Sequence, residues 1–157
     1  LRTGLAAARD LPVTAAVYLD ADGEYDPADA PTLLEPIRAG GADYVLGSRF
    51  RGEIEGMSRS RRAANHGFSL LLSLLCGRRI SDGQTGYRAF SRRALEVAEI
   101  VHDYNYAQVL TLDLLKKGMR MAEAPVRYRR RTSGASFVRA EYLWRVPVGI
   151  AREMLGS

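Results

Sequence analysis

The run Thr14-Ala-Ala-Val-Tyr-Leu-Asp20-Ala-Asp22-Gly23 constrains the fold of this chain more than any other stretch. Its unbroken apolar residues, with Val17, Tyr18 and Leu19 at the end and Gly23 just beyond, predict a strand covered on both faces, as in a parallel sheet. In open α/β sheets ligands sit in the crevice outside the carboxyl ends of the strands, so acidic groups placed there face a site rather than the core. If the extended conformation continues through them, Asp20 and Asp22 point to one side, with Ala21 leaving room between. Two close carboxylates repel, and a divalent cation relieves the repulsion. Hard oxygen ligands suit Mg²⁺ or Mn²⁺, which keep water and substrate phosphates in their remaining positions. The same residues would also serve simply to end a strand and shape a turn.

The remaining pattern predicts an α/β fold. Residues 1–9 have helical composition with no N-cap ahead of them, as though a helix were entered partway, which suggests an N-terminally truncated sequence. Asp26 is a candidate N-cap with Pro27 at the first helical position; Leu33, Leu34 and Ile37 recur at helical spacing, and Gly40-Gly41 closes the helix. Asp43-Tyr-Val-Leu-Gly47 is a second buried strand with Arg49 at its mouth. The order α-β-α-β predicts two parallel neighbouring strands joined by a right-handed crossover.

Residues 68–76 are apolar round most of a helix, with Arg59, Arg61 and Arg62 before them and Arg78 and Arg79 after. They suit a core helix, or one resting against a membrane or acyl chain, and are too short to span a bilayer. Ser81-Asp82-Gly83-Gln84-Thr85-Gly86-Tyr87-Arg88 is a glycine-punctuated loop entering a short strand. Its glycines permit close approach to a ligand, and Asp82 and Arg88 either flank that ligand or pair with each other. Helices over 91–99 and 109–117 follow, then a strand over 119–128 in which Pro125 marks an edge or bulge. Arg127 to Arg131, ending in Gly134-Ala-Ser136, suits an oligophosphate or a solvated basic edge. Residues 142–155 mix Tyr, Trp and Arg with aliphatics, as membrane-interface segments do.

Composition narrows the function classes. With 157 residues, 46% hydrophobic and 26% charged, the chain is long enough for one domain with a real core, and no linker divides it. The net charge of +5 allows anionic partners. Arginines without regular aromatic platforms or a helix-turn-helix pattern argue against nucleic acid. Cys76 is the single cysteine, which excludes an intrachain disulfide, and His66 and His102 are too far apart in sequence to suggest a metal pair.

Tyr18-Leu-Asp-Ala-Asp22, Gly47-Ser-Arg-Phe50, Ser81-Asp82 with Thr85-Gly-Tyr-Arg88, Glu123-Ala-Pro-Val126, and Arg131 with Gly134-Ala-Ser136 occur in an order and spacing that resembles a family 2 glycosyltransferase. Within that family the likeness is to the polyprenyl-phosphate (dolichyl-phosphate) mannose or glucose synthases, and it covers nearly the whole chain. The resemblance implies a partial GT-A fold, a Rossmann-like α/β arrangement with a mostly parallel central sheet flanked by helices, forming one catalytic domain over 1–157. It implies Mg²⁺ or Mn²⁺ on Asp20 and Asp22, with Glu24 as a further metal-side ligand. Arg49, Arg62, Arg131 and Ser136 fall on the substrate side, and Asp82 on the acceptor-side catalytic loop. The implied reaction is inverting transfer from a nucleotide sugar, of the UDP-glucose or GDP-mannose type, to a polyprenyl phosphate. The implied location is cytoplasmic, peripheral at the inner face of the membrane. Relatives open with two further strands and many carry a glutamate where Val109 stands. The rival reading is a non-catalytic module that keeps the membrane-binding and phosphate-binding surfaces.

Overall fold

The computed structural model describes residues 1–100 and 106–130. Arg131, Ser136, His102 and the interface-like stretch 142–155 lie outside the described residues. Helix α1 (Arg2–Asp10) leads into β1 (Ala15–Leu19); a 3-10 turn at Pro27–Asp29 and α2 (Ala30–Arg38) lead to β2 (Tyr44–Ser48). A second 3-10 turn, Arg49–Arg51, precedes β3 (Ile54–Glu55) and the long helix α3 (Arg59–Cys76). The chain then forms β4 (Tyr87–Ser91), α4 (Arg92–Val97), α5 (Tyr106–Lys116), β5 (Met121–Pro125) and β6 (Tyr128–Arg129).

Helix starts follow the capping chemistry. Asp26 Oδ1 accepts from Ala28 N at 2.9 Å, and Ser58 and Ser91 cap α3 and α4 by accepting from Arg61 N and Ala94 N. Gly77 ends α3 in the left-handed region, at φ +60°.

The α/β class holds, and the sheet is mixed. Its strand order is β1-β4-β2-β5, with β4 antiparallel to both β1 and β2, and β5 parallel to β2. β1 and β2 therefore run the same way, but they are not the neighbours that the α-β-α-β order predicts, because β4 inserts between them. β1 is correspondingly half-buried at the sheet's edge, whereas every residue of β2 is buried. β5 forms the other edge, where the terminal Pro125 is tolerated.

Alternation along the strands divides the core into two layers. Tyr44, Leu46 and Phe90 face a cluster with Leu72, Leu95, Leu110 and Leu114 from α3, α4 and α5. Val45, Tyr87 and Ala89 face the other way, onto Leu33 of α2, Ala124 and Tyr128. At the foot of the sheet, Asp43 accepts from the backbone N and Nε of Arg120, both at 3.0 Å, and this guanidinium holds its carboxyl below the usual carboxylate range.

α3 is a core helix on one face only. Ser69 and Leu72 are buried, while Leu70 and Leu74 are 62% and 72% exposed. Ser73 Oγ donates to Ser69 O at 2.6 Å and accepts from Ile80 N at 2.9 Å, so this small polar stripe ties down the chain leaving the helix. No helix among the described residues is long and apolar enough to cross a membrane.

Candidate functional site

The mixed sheet decides which loops meet. β1, β2 and β5 deliver Asp20, Arg49 and Val126 to one end of the sheet. β4 runs the opposite way, so the loop entering it, Ser81 to Gly86, arrives at that same end.

Asp20 begins where β1 stops. Its backbone N donates to Gly86 O at 3.1 Å, and the Tyr18 hydroxyl, two residues back on the same strand face, donates to its Oδ1. The approach of the two segments is so close that a Cβ on Gly86 would stand 1.9 Å from Asp20 Oδ2. The extended conformation does not continue to Asp22. Residues 21–24 turn, Gly23 has φ +78°, and Asp22 Oδ1 accepts from Glu24 N at 3.1 Å.

Glu24 is engaged by a cluster of its own. Arg61 Nη1 and Nη2 donate to its Oε1 and Oε2 at 2.8 and 2.9 Å, and the Tyr128 hydroxyl donates to Oε1 at 3.0 Å. Two hard carboxylates at the carboxyl end of a strand are a donor set that fits Mg²⁺ or Mn²⁺ sharing its shell with a ligand's phosphates. Glu24 does not fit as a third ligand while Arg61 and Tyr128 hold it. Among the described residues no group of three or more His, Cys, Asp or Glu is arranged to hold a metal ion.

Arg49 and Asp82 form a bidentate pair at 2% and 0% exposure. Arg49 Nε and Nη2 donate to Asp82 Oδ2 and Oδ1, each at 2.7 Å, and Arg49 N also donates to Oδ2 at 3.0 Å. Burial alone would lower the Arg49 pKa, but the bonds to Asp82 and its charge, together with Tyr25 and Tyr128, raise it overall, so the guanidinium stays charged. Asp82 therefore does not pair with Arg88. Arg88, fully buried, donates instead to the carbonyls of Gly83, Thr85 and Ala107 and to the hydroxyls of Tyr44 and Thr111, pinning the Asp82 loop onto α5.

The sequence directs attention to Arg62, which is exposed on α3; the structure brings Arg61 into the cluster instead. Helical phase carries the missed signal. Arg61 stands about three turns before the buried Leu72 and so shares its face. Tyr25 and Tyr128 carry no local sequence signal for the site. The Tyr25 hydroxyl accepts from Gly86 N at 2.9 Å, its ring meets Tyr87 and Tyr128 edge-on, and burial pushes the Tyr128 phenol up to about 12. Arg49 and Arg61 both lie over the Tyr128 ring, at 5.6 and 5.5 Å from its centroid. Beside this tyrosine wall a cleft of about 410 Å³ runs between Gly23–Pro27, Glu53, Glu55 and Arg127–Arg129.

Comparison with known proteins follows the same lines. Residues 1–98 match the family model described as Glycosyl transferase family 2. The chain is 39% identical over 97 residues to UDP-N-acetylglucosamine–dolichyl-phosphate N-acetylglucosaminyltransferase of Methanococcus voltae, covering 60% of this chain and 39% of that protein. It is 30% identical over 142 residues to undecaprenyl-phosphate mannosyltransferase of Micrococcus luteus, covering 87% and 58%. Among solved structures, glucosyl-3-phosphoglycerate synthase from Mycobacterium tuberculosis, in complex with Mn²⁺, UDP-glucose and glycerol 3-phosphate, superposes with a TM-score of 0.60 at 18% identity. That match covers 98% of this chain and 51% of the synthase, and it bears out the GT-A fold. The chain thus spans between about two fifths and three fifths of the length of each of these proteins.

Proposed function

The chain belongs to glycosyl transferase family 2, and from that premise we propose that the carboxyl end of its sheet binds a nucleoside-diphosphate sugar, of the UDP-glucose or GDP-mannose type, for inverting transfer of the sugar to a polyprenyl phosphate. The observation that carries the proposal is the meeting of Asp20 and Gly86 beside the buried Arg49–Asp82 pair at one end of the sheet. The names of the two relatives, both transferases to a polyprenyl-type phosphate, support the acceptor class. Asp20 and Asp22 are the residues that would hold Mg²⁺ or Mn²⁺, which when bound neutralises the charge gathering on the departing nucleoside diphosphate.

The protein's own groups supply positioning. Arg49 is fixed by Asp82 and remains charged, so it offers a cation at the site without having to be reoriented. Its two side-chain bonds to Asp82 use Nε and Nη2, which leaves the second terminal nitrogen for a phosphate oxygen. An acceptor phosphate is already anionic and needs no proton removed. Asp82, with both oxygens on Arg49, is then a positioning residue rather than a base. Arg61, which lies over the Tyr128 ring, is proposed as a second phosphate contact, and Arg62, Arg131 and Ser136 as further ones on the strength of the family likeness.

Calorimetric titration with UDP-glucose and with GDP-mannose, each with and without Mn²⁺, tests the donor side. Binding that requires Mn²⁺ is expected, and Asp22→Ala should weaken it by at least tenfold, about 1.4 kcal/mol. Unchanged Mn²⁺-dependent affinity in Asp22→Ala would remove the metal assignment.

The acceptor's location calls for a peripheral protein at the inner face of the membrane, and α3 offers the surface. Leu70 and Leu74 stand one turn apart and exposed, with Arg78 and Arg79 just beyond the helix to meet anionic headgroups. A buried leucine side chain is worth about 1.5–3 kcal/mol. The Leu70→Ser, Leu74→Ser double variant is expected to co-sediment with phosphatidylglycerol vesicles at least tenfold more weakly than the unaltered chain. Equal sedimentation of the two would exclude α3 as the membrane face.

A further inference from the structure

Glu123-Ala-Pro-Val126 has no task in the chemistry above, yet its glutamate is built into the site. β5 runs parallel to β2, with Glu123 opposite Leu46 and Pro125 opposite Ser48, so Glu123 lies just below the level at which β2 delivers Arg49. The Glu123 side chain is only 3% exposed. Its Oε1 accepts from Ser81 N at 2.7 Å, Ser81 Oγ at 2.9 Å and Asp82 N at 3.2 Å. Its Oε2 lies 2.8 Å from Arg51 Nη2, and Arg51 Nη1 donates to the Glu123 carbonyl at 3.3 Å. Ser81 Oγ is also 2.6 Å from Ser48 Oγ, at the end of β2.

These contacts form a chain of custody over one guanidinium. Glu123 binds the backbone of Asp82, and the carboxylate of Asp82 receives three N–H groups from Arg49. Charged acceptors make the stronger hydrogen bonds, so a loop held this way loses much of its freedom. Arg49 has no other hydrogen-bond acceptor among the described residues, and its direction depends on where Asp82 stands.

We propose that Glu123 is a positioning residue: by clamping Ser81 and Asp82 to β5 it fixes the Asp82 carboxylate, and through it the direction in which Arg49 faces an anionic ligand. That the ligand is a phosphate rests on the function proposed above; the coupling of Glu123 to Arg49 does not.

The test uses the full chain, labelled with ¹⁵N, and follows the Arg49 Nε–H resonance, assigned as the one lost in Arg49→Lys. In Glu123→Ala this resonance is expected to shift and its proton to exchange with water at least tenfold faster. In Glu123→Gln, which keeps one acceptor oxygen but not the charge, exchange should quicken by a smaller factor. Asp43→Asn breaks the pair with Arg120 at the opposite end of the sheet and controls for general loosening; it should leave the resonance in place. An unmoved resonance and unchanged exchange in Glu123→Ala would overturn the proposal, as would an equal response to Asp43→Asn. Should Glu123→Ala fail to fold, unchanged exchange in Glu123→Gln overturns it.

Titration with inorganic pyrophosphate and Mg²⁺ supplies the second arm. The unaltered chain's resonance should move, with half-saturation at least tenfold higher in Glu123→Ala. Equal half-saturation in both would again overturn the proposal. A resonance that answers to Glu123→Ala but never to pyrophosphate would sink the phosphate reading of the site and leave the coupling standing.

Discussion

Asp82→Ala is expected to lower the unfolding free energy by about 3–5 kcal/mol, the usual consequence of leaving one member of a buried ion pair without the other. The mechanism is the stranding of Arg49, at 2% exposure, with its Nε and Nη2 donors unmet. Urea denaturation monitored by circular dichroism measures it. For scale, Glu96→Ala removes an exposed i,i+4 partner of Arg92 and should cost about 0.3–0.5 kcal/mol. Replacing both Asp82 and Arg49 by apolar residues of similar size should recover much of the loss, since a buried pair often contributes little net over well-packed hydrophobic side chains. That double variant would fold yet bind phosphate more weakly, which separates the stability of the pair from its use. A value for Asp82→Ala within about 1 kcal/mol of the unaltered chain would mean that water reaches Arg49 and the pair is not a buried one.

Gly86→Ala should produce the reverse pattern, a small change in stability with a large loss at the site. The added Cβ would stand 1.9 Å from Asp20 Oδ2 and 2.5 Å from its Cγ, closer than any real contact. The atoms in the way belong to the carboxyl group of a short side chain, which can rotate aside, so the fold should lose about 1 kcal/mol, the low end of the usual overpacking cost. The carboxylate, however, leaves the position in which the Tyr18 hydroxyl holds it. Mn²⁺-dependent donor affinity should fall at least tenfold in calorimetry. Gly67→Ala in α3, where a Cβ meets no atom within 4 Å, is the matched control and should be neutral or slightly stabilising. Donor affinity equal in the two variants would show that Asp20 does not act from this position.

The parts of this architecture legible in the sequence are those with a local cause. The apolar run ending at Asp20 announces its strand, and Asp26-Pro27 and Gly40-Gly41 mark where the turn into α2 begins and where α2 ends, through their own side chains or backbone freedom. What stayed hidden depends on partners far along the chain. The loop at Ser81 to Arg88 offers a tempting charge pair six residues apart, yet Asp82 goes to Arg49, which β2 delivers from the other end of a long helix. Nothing local in Tyr87-Arg-Ala-Phe-Ser91 states its direction, because an apolar strand reads the same whether its neighbours run with it or against it. Arg61 rather than Arg62 was recoverable from helical phase, had Leu72 been known as the buried position. Glu24 enters as a metal-side residue only through the family resemblance; its bonds to Arg61 and Tyr128 depend on α3 and β6 being in place.

The position of β4 also sets the order in which this sheet can come into being. Ala15–Leu19 and Tyr44–Ser48 have no ladder with each other, and both wait for Tyr87–Ser91. Among the described residues these two strands are therefore joined only once residue 91 has been made, by ladders that span more than forty and about seventy residues of chain. Pairings of such sequence separation close slowly and leave intermediates open to association. Substitutions in β4 should accordingly be felt in refolding yield before they are felt in the activity of whatever folds.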